Sequence, residues 1–582
     1  MKLSCLSDRL RASPATGEVL ARDLPASKPA RALEAAFSER KTVVSPQGGV
    51  ASFQLIVSTD TPTDGAEIAL HLGPFSLDRA ELGPPAVCYQ WPCQLDDGEW
   101  VYDALVPLEV YRAAPAEVRE GPLGKRSHHA FWIDVPVPRG AKPGTYRASA
   151  GVEGGPQVEV AIEVIPVELP LAPRMTIDLN SYANRIPGNH PGLTLDELIA
   201  CEHTYYREAH DNRAVFHYLG YGHSCTVADG YAPPLAGRGR NLRVADWSAY
   251  DRRFGPLFDG GALAGSPGGE RPIPHFYLPF NYDWPADFVR FGTRGYEEEW
   301  SRVLAEFLVH FQEMGWTGTN FELFFNPKKR YRYYPWDGDE SKSTKDRAHF
   351  LFYGRLLDRA RRVAGSRGSE ARVVYRTDIS WTFLQDALDE EMGSLFDLWI
   401  IHMGNVSWSR EGVKALNAHG HLAWPYDTAM EAAHPAQPTM DLDRRILLAW
   451  RRGADGLIPN WLAQGNDNDL DHASPFAMLY PAHRFGAARA LASIRLRRVR
   501  LATETTDLLD MIGKDALALV DAVVEAKEDD WWTPTPAWTL YPPEAMKGEM
   551  YGRQPMANPF EGRDPHTPAV IRQRAIDKLT GR

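Results

Sequence analysis

The sequence predicts a multi-domain β plus α/β protein, with an N-terminal antiparallel β-sandwich, a (β/α)8 TIM-like barrel and a C-terminal extension. Residues 40–168 contain short β-type runs separated by Pro, Gly and Asp, whereas residues 175–461 alternate strands with helices. A Pro-rich connector at residues 166–173 separates these two sequence patterns. We therefore predict domains at residues 1–170, 171–500 and 501–582.

The strands of the predicted sandwich are recognised by apolar residues that alternate, or nearly alternate, with polar ones. This pattern occurs at residues 50–57, 67–72, 129–135 and 158–165. Turn sequences such as Pro143-Gly144-Thr145 separate the runs. Short strands at this spacing are typical of an antiparallel sandwich.

The elements of the predicted barrel are apolar runs that alternate with segments of helical periodicity. We predict strands at residues 175–180, 273–279, 319–325, 371–378, 397–402, 422–426 and 456–461. We predict helices at residues 195–210, 296–314, 346–364 and 485–525. From residue 529 the chain is rich in Trp and Pro, which predicts an irregular extension.

Composition and charge exclude several classes of protein. The 582 residues are 44% hydrophobic and 24% charged, with a mean hydropathy of −0.37, as in soluble globular proteins. The net charge of −12 argues against a nucleic-acid partner, because such proteins need a basic surface. The five cysteines have no CxxC spacing, so they predict neither a disulfide framework nor a zinc site.

Segments for targeting, membrane insertion or cofactor binding are not predicted. Residues 1–10 lack the apolar core of a signal peptide, so we expect a cytoplasmic protein, or an exported one if the start is mis-assigned. A run of about 18 apolar residues, which a membrane span requires, does not occur. Residues 466–471 lack the Gly and Glu of an EF-hand loop, and dinucleotide, phosphate-loop, HExxH and GxSxG motifs are missing. We therefore expect no metal and no cofactor.

The candidate chemistry lies in an acidic, aromatic loop that follows the predicted strand at residues 319–325. Asp337, Asp339 and Glu340 lie close in sequence to Tyr331 and Trp336. Aromatic rings stack on the apolar faces of a pyranose, while one acid protonates the glycosidic oxygen and another group stabilises the positive sugar ring. The loop therefore indicates a carbohydrate substrate, although acidic turns of this kind can also serve only to turn the chain.

Other candidate residues follow the carboxyl ends of the predicted strands, which in a barrel surround one opening. Asn180, Tyr182 and Asn281 are members of this set. The residues that we expect to bind substrate are Asp378, Trp381, His402, Asn405, Trp424, Tyr426, Asp427, Trp461, Trp284 and Trp336.

Several separate segments resemble proteins that carry the domain of unknown function 4091, a group similar to glycoside hydrolase family 123. Residues 50–57, and residues 131–138 with 142–146, look like the sandwich of that family. Residues 479–481 followed by 492–496 look like its closing barrel segment. The resemblance implies a β-sandwich before a (β/α)8-like catalytic domain, and retaining hydrolysis of 2-acetamido-2-deoxy sugars by substrate assistance.

The resemblance also implies catalytic residues. The adjacent Asp-Glu pair of the family matches Asp339 and Glu340, with Asp339 orienting the acetamido group and Glu340 acting as general acid. This sequence departs from the pattern, because residues 327–338 separate the pair from its strand and Ser341 replaces the usual Pro. Glu322, nearer the strand end, is the second candidate for the acid.

Two alternatives remain open from the sequence. One is a two-carboxylate glycosidase that uses Glu322 with Asp339, Glu340 or Asp378. The other is a carbohydrate-binding protein without catalysis. The sequence does not indicate the oligomeric state.

Overall fold

The computed structural model describes residues 1–341, 346–379, 393–402, 420–426, 433–526 and 558–582. Among the predicted site residues, Trp381, Asn405 and Asp427 lie outside the described residues. For Glu340 and His402 the structure describes the backbone alone. The described chain is a mixed α/β structure with several sheets.

The N-terminal region consists mainly of β-strands. They are β1 Lys2–Ser7, β2 Thr42–Gln47, β3 Val50–Thr63, β4 Leu70–Leu72, β5 Ser76–Leu77, β6 Ala80–Glu81, β7 Ala86–Gln94, β8 Trp100–Pro107, β9 Arg126–Pro136, β10 Gly144–Val152 and β11 Gln157–Glu168. One sheet has the order β1-β3-β9-β7-β8, and the other has the order β2-β11-β10-β5-β6 with β4 beside β10. The pairs are antiparallel except for β2 with β11.

A hydrophobic core lies between these two sheets. Phe53 and Ile133 from the first sheet and Tyr146 and Ile162 from the second belong to one buried cluster. Ile56 lies on the opposite face of β3 in a separate buried cluster, because successive side chains of a strand point to opposite faces. Both faces of the first sheet are therefore covered.

The second region contains the parallel strands. Its strands are β12 Thr176–Tyr182, β13 Val215–Leu219, β14 Leu235–Ala236, β15 Arg243–Val244, β16 His275–Tyr277, β17 Asn320–Phe324, β18 Asp339–Ser341, β19 Val373–Ile379, β20 Leu398–His402, β21 Leu422–Tyr426 and β22 Gly456–Leu457. One parallel sheet has the order β13-β12-β22, and another has the order β16-β17-β19-β20-β21, with β18 beside β19. The strands β14 and β15 form a small antiparallel pair.

The two parallel sheets adjoin each other at both of their edges. A parallel bridge between Tyr426 and Ile458 joins β21 to the chain after β22, and β13 lies beside β16. Between β13 and β16 no backbone ladder is found in the described residues. The structure therefore supports the prediction of an α/β region, but not a closed (β/α)8 barrel.

Helices return the chain between parallel strands and cover the sheets. The α-helices are α1 Lys28–Arg40, α2 Leu108–Ala113, α3 Ala116–Glu120, α4 Arg185–Asn189, α5 Leu195–Asp211, α6 Ser248–Phe258, α7 Arg294–Glu313, α8 Lys329–Arg332, α9 Arg347–Gly365, α10 Asp441–Arg451, α11 Ile494–Ile512, α12 Ala516–Val524 and α13 Thr567–Thr580. Helices α5, α7 and α9 lie within two residues of their predicted bounds. Local signals explain this agreement, as at α5, where Thr194 and Glu197 form a capping box.

The prediction of a helix throughout residues 485–525 is wrong at its start. The chain first forms β23 Leu479–Pro481 and β24 Ala490–Ser493. Strand β24 pairs with β8, so both strands extend the first N-terminal sheet. The free backbone groups at the edge of β8 provide hydrogen-bond partners that the local sequence does not reveal.

Helix α11 joins the two regions through buried arginines. Arg495 donates to Asp103 at 2.6 Å and 2.9 Å. Arg500 donates to Asp134 at 2.7 Å, and both acids belong to the N-terminal sheet. A buried charge is tolerated only when it is paired and hydrogen-bonded, so these contacts fix α11 against the sheet. Among the described residues no helix combines the length and apolar character needed to span a bilayer.

Candidate functional site

A cavity of about 760 Å³ opens at the carboxyl ends of the parallel strands. Its walls come from the ends of β12, β13, β17, β19 and β21 and from the loops that follow them. Its lining residues include Tyr182, Asp339, Asp378, Tyr426 and Trp461. Ligands of parallel α/β proteins commonly bind at this edge of the sheet, so the cavity is the candidate functional site.

Two carboxylates lie side by side in the cavity. Strands β18 and β19 pair in parallel with Asp339 opposite Asp378, and neighbouring strands are about 4.8 Å apart. Arg376 donates to both oxygens of Asp378, at 3.0 Å and 3.2 Å. Burial raises the pKa of Asp378 to about 6, although Arg376 opposes this shift. Both side chains are thus close enough to contact one bound ring.

Asp339 is held by two residues that were not predicted from the sequence. Lys328 Nζ lies 3.1 Å from Asp339 Oδ2, and His223 Nδ1 lies 3.4 Å from the same oxygen. The same His223 nitrogen lies 3.1 Å from the Asn326 carbonyl oxygen. Because both partners are acceptors, we assign the proton to Nδ1. Burial lowers the pKa of His223, although Asp339 opposes the shift.

A buried cluster of charged and polar side chains lies beneath the cavity. Glu322 accepts a hydrogen bond from His275 Nδ1 at 2.6 Å. Its other oxygen lies 3.6 Å from His217 Nε2 and 3.6 Å from Arg376 Nη1. His217 Nδ1 in turn lies 2.8 Å from Asp178. Burial alone would raise the pKa of Glu322, but His217, His275 and Arg376 together lower it to about 2.

Tyr277 connects this buried cluster to the rim of the cavity. Its ring stacks on His217 with 3.6 Å between centroids, and its hydroxyl accepts a hydrogen bond from Arg376. The hydroxyl donates to Asn180 at 3.3 Å, and the Asn180 amide donates to the Trp461 carbonyl at 2.7 Å. Because each polar group in this series of hydrogen bonds has a fixed partner, the buried cluster holds the rim at Trp461 in place.

Exposed aromatic rings flank the cavity. Trp461 is 37% exposed and Tyr331 is 51% exposed, and both line the cavity. Trp461 lies near Tyr182, with 6.4 Å between ring centroids, whereas Tyr331 lies near His223 at 5.2 Å. Strands β22 and β17, which precede these two rings, are four positions apart in the strand order. The rings are therefore on different sides of the opening.

Of the residues predicted to cleave or bind substrate, the structure brings four to the cavity and places four others elsewhere. Asp339, Asp378, Tyr426 and Trp461 line the cavity. The residues that do not line it are Glu322, Trp284, Trp336 and Trp424.

The four residues away from the cavity are engaged in packing or in the buried cluster. Trp336 is fully buried and stacks on His349 at 4.8 Å. Trp424 packs against His275 at 4.8 Å, and Trp284 packs against Phe280 at 4.9 Å. Glu322 is fully buried. The side chains of Glu340 and His402 are not described, and Trp381, Asn405 and Asp427 lie outside the described residues.

His223, Lys328 and Arg376 all line the cavity but were not predicted from the sequence. A signal for Arg376 was available, because residues two apart in a strand share a face and Arg376 precedes Asp378 by two. Strand β13, which precedes His223, was also not predicted, although residues 214–219 are mainly apolar and aromatic. Within the described part of the chain, no group of three or more His, Cys, Asp or Glu side chains is arranged to hold a metal ion.

No protein-family model matches this sequence, and no curated protein matches it. Among solved structures, a family 123 glycoside hydrolase from Clostridium perfringens is similar with a TM-score of 0.59 and 12% sequence identity, covering 100% of this chain and 98% of that chain. A Bacteroides ovatus GH5 xyloglucanase has a TM-score of 0.29 and 8% identity, covering 80% of this chain and 98% of that chain. The chain is thus similar in fold, over its whole length, to a family 123 glycoside hydrolase.

Proposed function

We propose that this protein is a glycoside hydrolase. The observation that carries the proposal is the pairing of Asp339 with Asp378 in one cavity. Trp461 and Tyr331 add exposed rings to the same cavity. Glycoside hydrolysis needs acidic side chains close to the scissile bond and surfaces on which the sugar ring can stack. The fold similarity to a family 123 glycoside hydrolase supports the same function.

The proposed substrate is a glycan with a 2-acetamido-2-deoxy sugar, cleaved with retention by substrate assistance. The acetamido oxygen attacks the anomeric carbon and forms an oxazoline, while Glu340 donates its proton to the departing glycosidic oxygen. Water then opens the oxazoline and Glu340 takes up the proton of that water. Asp339 orients the acetamido group and stabilises the positive charge on the intermediate.

The surroundings of Asp339 suit this role. An orienting carboxylate must be charged and fixed before the substrate arrives. Lys328 pairs with Asp339 at 3.1 Å, and His223 lies 3.4 Å away on another wall. These contacts limit the movement of the carboxylate without covering it, since Asp339 still lines the cavity.

A second mechanism within the same function uses two carboxylates of the protein, Asp339 and Asp378. It is favoured by their opposite positions on β18 and β19 and by the burial that raises the pKa of Asp378 to about 6. An acid with such a pKa keeps part of its proton near neutral pH. Glu322 suits neither mechanism as the acid, because its neighbours lower its pKa to about 2.

The test is a panel of chromogenic glycosides, in pairs that carry either an acetamido or a hydroxyl group at C2. We expect cleavage of the acetamido members, with the anomeric configuration of the product retained in proton NMR spectra. Glu340→Gln should lower kcat about 10²- to 10⁴-fold and leave the melting temperature unchanged.

Asp337→Asn is the matched control for the Glu340 variant. Asp337 belongs to the same loop, accepts a hydrogen bond from the Lys329 amide and does not line the cavity, so this variant should keep wild-type kcat. Equal cleavage of the hydroxyl members would favour the mechanism with Asp339 and Asp378. Glycan binding without any cleavage would instead indicate a carbohydrate-binding protein.

A further inference from the structure

The described lining of the cavity contains more positive than negative side chains. Four of its residues are Lys or Arg, and two are Asp. The cations are Arg185, Lys328, Arg330 and Arg376, and the acids are Asp339 and Asp378. This local excess contrasts with the whole chain, whose net charge is −12.

The two acids are each paired with one of the cations. Lys328 lies 3.1 Å from Asp339, and Arg376 binds both oxygens of Asp378. In the part of the chain that the structure describes, neither Arg185 nor Arg330 forms an ion pair within 4.0 Å. The charge of Arg185 also acts on Asp469, where it opposes the rise in pKa that burial causes. The guanidinium group of Arg330 is therefore the main surplus charge of the described cavity wall.

Among the described residues, the basic neighbours of Arg330 are paired with carboxylates, whereas Arg330 is not. Arg330 belongs to a basic run at residues 328–332. In that run, Lys329 lies 3.6 Å from Asp337 and Arg332 lies 2.6 Å from Asp283. Arg330 instead lies over the ring of Tyr331, 5.1 Å from its centroid.

Tyr331 and Arg330 together present an aromatic face and a guanidinium group at one rim. The ring of Tyr331 is 51% exposed. A pyranose can stack on such a ring, while a guanidinium binds a carboxylate or sulfate through two parallel hydrogen bonds. A neutral sugar would offer Arg330 no group of opposite charge.

We propose that the cavity accepts an acidic glycan, in which a sugar next to the cleaved bond carries a carboxylate or a sulfate group recognised by Arg330, while Arg185 adds positive charge to the same cavity. This inference rests on the proposed glycosidase function and names its substrate class. Clefts with an excess of one charge concentrate ligands of the opposite charge. In an acidic protein, such a cleft also determines where an acidic ligand can approach.

The test uses sets of three glycosides that share the cleaved sugar and differ in its neighbour. The neighbour is a uronate, a sulfated sugar or a neutral sugar. We expect kcat/KM to be about tenfold higher for an acidic member, and 0.5 M NaCl to reduce that preference, because salt screens exposed charges. The uronate and sulfate members distinguish the two sources of negative charge.

Variants then assign the preference to the two arginines. Arg330→Gln and Arg185→Gln should each raise KM for the acidic member about five- to tenfold and change KM for the neutral member less than twofold. Arg330→Lys should have an intermediate effect, because Lys keeps the charge but not the fork. Arg79→Gln is the control, since Arg79 is exposed between β5 and β6 and its loss changes the net charge equally.

The outcomes separate this inference from the function on which it rests. If all three members are cleaved equally and neither arginine variant changes KM for the acidic ones, the acidic-glycan proposal is overturned and the glycosidase function stands. If no glycoside is cleaved, binding of the same three compounds is measured by calorimetry. Binding restricted to the acidic members then supports the anion site, and equal or undetectable binding overturns it.

Discussion

Replacing Glu322 by Gln tests whether the acid beneath the cavity stabilises the fold or performs chemistry. The substitution keeps the shape of the side chain and an oxygen that can accept the hydrogen bond from His275. It removes the negative charge that lies 3.6 Å from both His217 and Arg376. Because the cluster is fully buried, this loss is poorly compensated by solvent.

The expected loss in the free energy of unfolding follows from the pKa of Glu322. Its neighbours lower that pKa from 4.5 to about 2, and each unit corresponds to about 1.4 kcal/mol, so the charged form contributes about 3 kcal/mol. Since the pKa is lower in the folded state, this contribution is present above pH 4.5 and is lost as the pH falls towards 2. At pH 3 about 1.4 kcal/mol remains.

Thermal unfolding of wild type and Glu322→Gln at pH 7 and pH 3 measures this contribution. An α/β region of about 330 residues has an unfolding entropy of about 0.7 kcal/mol/K, so the variant should melt about 4 °C lower at pH 7 and about 2 °C lower at pH 3. Glu370→Gln removes an exposed charge and should melt within 1 °C of wild type. An unchanged melting temperature with a kcat reduced more than a hundredfold would refute the structural role and make Glu322 the proton donor.

Two further predictions concern the rim and the contact between regions. Trp461→Ala should raise KM about tenfold, because a sugar that covers roughly 60 Å² of the ring contributes about 1.5 kcal/mol to binding. As a control, replacing the buried Trp336 by Phe should lower the melting temperature but leave KM unchanged. Equal KM values for both variants would contradict stacking of the sugar on Trp461. Asp103→Ala should destabilise the protein by about 3–5 kcal/mol in denaturant unfolding, because it leaves buried Arg495 unpaired, and a midpoint equal to that of wild type would disprove this.

The fold could be predicted from the sequence wherever local signals determine it. Helix α5 begins at the Thr194 capping box, and β21 was predicted at its observed bounds because Leu422–Tyr426 is a short apolar run. The pairing of β24 with β8 could not be predicted. It joins segments that lie several hundred positions apart, and no short-range pattern reports such a partner.

The meeting of Asp339 and Asp378 in one cavity could be expected from the sequence, whereas the other contacts around them could not. Asp339 and Asp378 meet because strands that run in parallel end at one edge. Trp424 shares a face of β21 with Tyr426 but lies deeper along the strand, where it packs against His275. Residues of other strands decide whether an aromatic side chain is buried. The residue type alone therefore did not distinguish aromatic residues at the rim of the cavity from those in the core. The partners of Asp339 also come from separate loops.

The stability of the buried cluster and the geometry of the cavity depend on one arginine. Arg376 lies 3.5 Å from Asp178 and 3.6 Å from Glu322, and it holds Asp378 in the cavity. Three buried or half-buried acids therefore share one permanent positive charge, supported by the histidines around Glu322. A ligand that changes the charge of Asp378 also changes the electrostatic balance around Glu322, because Arg376 contacts both. The cavity and the cluster are consequently one electrostatic unit rather than a surface site above an inert core.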